Sequence, residues 1–128
     1  MPDELDTILK RAEAVSRRID ARQKAVPKLE SLAKRMTAQK IKVRFTDDLP
    51  AGMVGEYRHD LKRIRLDSEL IDNTNELLST LLHECVHASK PVERGPAAER
   101  EVEAIAQKAM ADLRRRMARQ GLALDELI

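Results

Sequence analysis

His83 and His87 stand four residues apart, with Glu84 directly after the first. Residues at i and i+4 lie one above the other on a helix. Two imidazoles placed this way can hold one zinc ion, and the carboxylate beside them can reach a water bound to it. The chemistry this H-E-x-x-H spacing points to is metal-assisted hydrolysis with Glu84 as general base. It requires a firmly anchored helix whose polar side opens on a cleft.

The flanking residues supply such a helix. At 3.6 residues per turn, Leu77, Leu78, Leu81, Leu82, Cys85 and Val86 form one broad apolar face. Glu76, Thr80, His83 and His87 fall on the opposite side, with Glu84 at the margin. Asn73 as N-cap and Glu76 three residues later make a capping-box-like entry, and Pro91 stops the helix soon after the second histidine.

A catalytic zinc takes a third protein ligand. The remaining histidine, His59, falls in an expected hairpin turn, which leaves the carboxylates. Glu93 stands where the extended pattern H-E-x-x-H-x-x-G-x-x-H has its last histidine, but Lys90 replaces the glycine that makes the turn. A second helix downstream offers Glu99, Glu101 and Glu103. Glu101 projects at one edge of that helix's apolar stripe beside Ile105; Glu99 and Glu103 lie on or beyond the other margin. Position favours Glu101 and leaves the others open.

At 128 residues the chain is one small domain with room for a single core. Charged residues make up 36%, yet the net charge is only +2, so the basic clusters, Arg114-Arg115-Arg116 among them, read as the wet face of a helix. With one Phe, one Tyr and no Trp, the chain lacks stacking platforms for bases, and no nucleic-acid partner is expected. The single Cys85 cannot form an internal disulfide and lies on an apolar face, which suits a reducing compartment. Met1 to Asp6 is acidic with no apolar signal-peptide core, and no run reaches membrane-spanning length. The expectation is a cytoplasmic protein with no membrane partner.

The order of elements follows from periodicity. Residues 1–40 read as a helical N-terminal extension: Leu5, Ile8, Leu9, Ala12, Val15 and Ile19 repeat at three and four residues, and Leu29, Leu32 and Met36 resume the stripe. Pro27 predicts a kink or two successive helices. This stripe packs on the domain or serves a helix-mediated partner or homodimer. Residues 41–120 form the candidate catalytic core. Ile41–Phe45, Met53–Arg58 and Arg63–Leu66 alternate as strands, the last two around the turn His59–Lys62. The H-E-x-x-H helix follows, then a loop through Pro91–Pro96. A helix from Ala97 to about Arg119 has Val102, Ile105, Ala106, Ala109 and Leu113 inward. Gly121 ends it, leaving the tail 121–128. The fold class expected is α+β: N-terminal helices, a small three-stranded, mostly antiparallel sheet, the active-site helix and a C-terminal glutamate helix.

Glu101-Val102-Glu103-Ala104 reads as E-x-x-A on a helix following H-E-x-x-H. With the hairpin Gly55-Glu56-Tyr57 … Arg63-Ile64-Arg65-Leu66 and the run Thr80-Leu81-Leu82-His83-Glu84, the sequence from about Ile41 to Leu113 resembles the gluzincins. It is most similar to the compact minigluzincins and the ImmA/IrrE-type peptidase domains. The resemblance implies zinc held by His83, His87 and Glu101, with Glu84 as catalytic base and Ala104 as the small residue at the helix contact. Val86 and Ile105 depart from the family pattern, which often has glycine and Asn or Asp there.

The function implied is a zinc metalloendopeptidase acting on a protein or peptide substrate, which pairs with strand Met53–Arg58. Tyr57 or His59 is a candidate oxyanion donor. Two alternatives are a zinc-bearing interaction protein working through its N-terminal helices, and a latent peptidase capped by its own tail.

Overall fold

The computed structural model describes residues 3–90, 95–123 and 126. Pro91, Val92, Glu93 and Arg94, where a loop and one candidate ligand were expected, lie outside the described residues, as do Leu124, Asp125, Leu127 and Ile128 of the tail that the latent-enzyme reading needs. The order is α1 (Glu4–Thr37), β1 (Lys42–Thr46), β2 (Gly55–Arg58), β3 (Arg63–Asp67), a 3-10 turn (Ser68–Asp72), α2 (Thr74–Ser89) and α3 (Pro96–Arg119). The class is α+β, as expected.

α1 opens on Asp3, whose Oδ1 accepts the Leu5 N–H at 3.3 Å, and closes on Ala38 in the left-handed region at φ 54°. It runs through Pro27 as one helix, so the expected alternative of two successive helices does not hold. The ring deprives only the Gln23 carbonyl of its partner, and Gln23 is exposed, so water can serve it. Meanwhile Ala25, Leu29 and Ala33 are anchored in the core on either side. Most of the predicted N-terminal stripe is not packed: Leu5, Ile8, Leu9, Val15 and Ile19 are all exposed.

The sheet has the order β1-β3-β2. β2 and β3 form the expected antiparallel hairpin, with Gly55 opposite Leu66 and Tyr57 opposite Ile64. β1, however, pairs with β3 in parallel, Val43 opposite Ile64 and Phe45 opposite Leu66. The sheet is therefore mixed. The connection from Asp47 to Val54 is long enough to carry the chain past the place β3 will occupy, so the hairpin's returning strand lies beside β1 and β2 becomes an edge.

Alternation assigns the faces. Val43, Ile64 and Leu66 are buried under the helices, whereas Lys42, Arg44, Glu56 and Arg58 belong to the other face. α2 supplies the largest share of the core through Leu77, Leu78, Leu81, Leu82 and Cys85. Fully burying each leucine is worth about 1.5–3 kcal/mol, which makes α2 the best-anchored helix of the fold. The α3 inner face is Val102, Ala106, Met110 and Met117, with Ala109 and Leu113 partly buried. Ile105, expected inward, is exposed. Its position is one step past the stripe defined by residues 98, 102, 106 and 110. No helix among the described residues is long and apolar enough to cross a membrane.

Candidate metal centre

The entry to α2 forms as the sequence suggests: Asn73 Oδ1 accepts the Glu76 N–H at 3.1 Å. The leucines then fix the rotation of the helix. His83 and His87 turn toward α3, each half-buried, with ring centroids 5.0 Å apart. Ligand atoms of His83, Glu84 and His87 lie within 4.8 Å of one another.

α3 meets this pair with a matching pair of its own. Glu103 Oε2 lies 2.6 Å from His83 Nδ1, while the Glu99 carboxylate spans both imidazoles, 3.4 Å from His83 Nε2 and 3.2 Å from His87 Nε2. A carboxylate only accepts, so the short Glu103 contact is served by a proton on His83 Nδ1. His83 Nε2 faces a Glu99 oxygen, and a proton or a metal ion between them would satisfy both. Tetrahedral zinc with bonds of 2.0–2.2 Å has ligand–ligand edges of about 3.4 Å. The observed separations, 3.4 Å from His83 Nε2 to Glu99 Oε2 and 3.2 Å from His87 Nε2 to Glu99 Oε1, are of that order, and imidazole and carboxylate are donor types that zinc takes.

The ligand implied by the resemblance is placed differently. Glu101 pairs with Lys90 Nζ at 2.6 Å, and the carboxylates within 4.0 Å of an imidazole nitrogen among the described residues are Glu99 and Glu103. With Ala98 and Val102 against the body, Glu99 and Glu103 rise on one margin of α3 and Glu101 on the other. Ala104 is also exposed; Ala106, buried against Val86 and Val102, is the small residue at the helix contact. Two signals in the sequence pointed this way. Glu99 and Glu103 repeat the four-residue spacing of the histidines, and Glu103-Ala104-Ile105-Ala106 is itself an E-x-x-A.

Glu84, placed at the margin by the sequence, is only 6% exposed. Burial pushes its carboxyl up to about 7; the charge of His83 pulls down, and Glu99 and Glu56 add to the rise. A carboxylate poised there is matched to proton transfer near neutral pH. Gly55 of β2 lies against it. A Cβ at Gly55 would stand 2.5 Å from Thr80 Cγ2 and 3.4 Å from Glu84 Cγ, so only glycine lets the strand approach α2 this closely.

A cavity of about 730 Å³ opens between β2 and the α2–α3 pair, within the size range of small-ligand sites. Glu84 and His87 line it with Tyr57, His59, Lys90 and Glu101. The Tyr57 and His59 rings meet edge to face at 6.1 Å. The Tyr57 hydroxyl is buried without a partner among the described residues, and burial raises its pKa. Cys85 points into the core, its thiol pushed up to about 12 by burial and then by Glu84, which excludes it as a nucleophile at neutral pH. No protein-family model, no curated protein and no solved structure matches this chain, and the chemistry of the centre stands on its own residues.

Proposed function

We propose that this chain is a cytoplasmic zinc metallopeptidase of the minigluzincin kind, with zinc held by His83, His87 and Glu99. The observation that carries this reading is the convergence of two Nε2 atoms and one carboxylate beside a buried glutamate, of which His87 and Glu84 line the cavity beside the edge strand. Zinc bound there supplies a Lewis acid for a scissile carbonyl and makes a neighbouring water more acidic. Glu84 takes the proton from the attacking water and delivers it to the leaving amine. Glu103 holds the His83 ring by its Nδ1–H and fixes the tautomer. β2, paired on one side only, offers its free edge to an extended peptide, and Tyr57 and His59 stand in the same cavity as candidate oxyanion donors.

Metal analysis of purified protein tests the ligand set. Wild type and Glu101→Ala should hold about one zinc per chain, and Glu99→Ala should lose it. The opposite result, with Glu101→Ala losing the metal, would return the third ligand to Glu101. Glu84→Gln should keep zinc and lower peptide hydrolysis by at least about a hundredfold; undiminished cleavage removes Glu84 as base. The alternative, a zinc-bearing interaction protein, is favoured by the exposed stripe of α1. It prevails if Glu84→Gln leaves function intact while truncation of α1 abolishes it.

A further inference from the structure

Every side chain from Asp3 to Ala21 is exposed, so more than half of α1 stands clear of the body. Among the described residues, an ion pair between Arg18 and Asp72 at 3.3 Å ties it to the body. Eighteen residues span about 27 Å. A helix of that length with nothing packed on it is marginal in water. Yet Leu5 is 60% exposed, Ile8 60%, Val15 54% and Ile19 44%. With Ala12, these residues follow one another at intervals of three, four, three and four, the spacing of a two-stranded coiled-coil seam.

We propose that this segment pairs with the same segment of a second copy, antiparallel, to make a dimer. Charge selects the occupant and its direction. The first turn carries Asp3, Glu4 and Asp6, and the stretch nearer the body is net basic, with Lys10, Arg11, Arg17 and Arg18 against Glu13 and Asp20. Parallel pairing sets like against like at both ends; antiparallel pairing sets the acidic turn of each copy beside the basic stretch of the other. The body sets the register. A two-fold axis beside residue 10 packs Leu5 on Val15 of the second copy and Ile8 on Ala12, and brings the two Leu9 side chains together. Sliding one seam position further would require Arg22, which is already half-buried where α1 joins the body. In this register Glu4 of each copy comes beside Arg18 of the other, which keeps Asp72 as its second carboxylate, and these two contacts outweigh one Arg11–Arg11 contact.

Sedimentation equilibrium of the full chain tests the pairing. Wild type should dimerise at tens of micromolar or below, roughly. The double variant Ile8→Glu/Val15→Glu should raise Kd by roughly a hundredfold or more without shifting the unfolding midpoint of the body. Leu9→Cys should form a disulfide-linked dimer under mild oxidation, Cys85 being buried and out of reach. A wild type that stays monomeric at several times that concentration overturns the proposal and leaves the stripe to a different protein. A dimer that survives Ile8→Glu/Val15→Glu overturns it as well, and an intact dimer that Leu9→Cys does not cross-link overturns the antiparallel arrangement.

Discussion

Gly55→Ala adds a single methyl at a close approach of the sheet to α2. That methyl would stand 2.5 Å from Thr80 Cγ2, where carbon atoms rest at about 3.5–4.0 Å, so something must move by about 1 Å. Thr80 is β-branched on a helix, where only two χ1 settings are open to it. The next contacts, 3.4 Å to Glu84 Cγ and 3.6 Å to its Oε2, are ordinary, so Thr80 is the obstacle. Overpacking of this kind costs about 1–3 kcal/mol, offset by the roughly 0.5–1 kcal/mol that alanine gains over glycine in a strand. The net expectation is a loss of about 1–2 kcal/mol, read as a lower urea midpoint at unchanged slope. Thr80→Ser removes the obstructing methyl and keeps the hydroxyl. In the double variant it should recover most of the loss, giving a coupling of about 1 kcal/mol. Gly55→Ala at wild-type stability, or with no rescue by Thr80→Ser, refutes the close-approach argument.

The metal-free protein should lose stability as pH rises. The Glu84 carboxyl sits at about 7 when folded against 4.5 unfolded, so its contribution is fully present below about 4.5 and gone above about 7. The change is on the order of 3 kcal/mol. Denaturant titrations across that window should be flattened by Glu84→Gln; an unchanged slope in the variant refutes the assignment. Cys85, buried and with its thiol at about 12, should resist a thiol reagent at pH 8 until the chain unfolds, whereas rapid labelling of native protein contradicts its place in the core. Asn73→Ala removes the cap on α2 and should cost about 1 kcal/mol in urea; Leu78→Ala, at the centre of the core, should cost about 2–5. Equal effects of the two would show that α2 is not anchored as described.

The sequence is most informative where one local pattern has one outcome. The α2 leucines all face the core and Asn73 caps the helix, because a 3.6-residue period and a cap act within a few residues. Alternation likewise identifies Val43, Ile64 and Leu66 as inward. It says nothing of which strand edges meet, and so the parallel β1–β3 pairing, fixed by the path of residues 47–54, was not legible. Whether Pro27 divides the helix depends on whether water reaches the Gln23 carbonyl, a matter of burial that local sequence does not carry. The third carboxylate was obscured by repetition: Glu99, Glu101 and Glu103 alternate across the margins of α3, and only the packing of Val102 and Ala106 on Val86 determines which margin faces the histidines.

That repetition carries a further consequence. Imidazoles one turn apart on α2 face carboxylates one turn apart on α3, so the polar contacts alone have two settings. Sliding α3 by one turn, about 5.4 Å, would bring Glu103 to the place of Glu99. What breaks this degeneracy is apolar: Val86 is seated against Val102 and Ala106, and that one-turn slip would put Ala106 where Val102 now lies, exchanging a branched side chain for a methyl. The small cluster beside the centre therefore acts as its register pin, selecting one of two alignments that charge alone cannot tell apart.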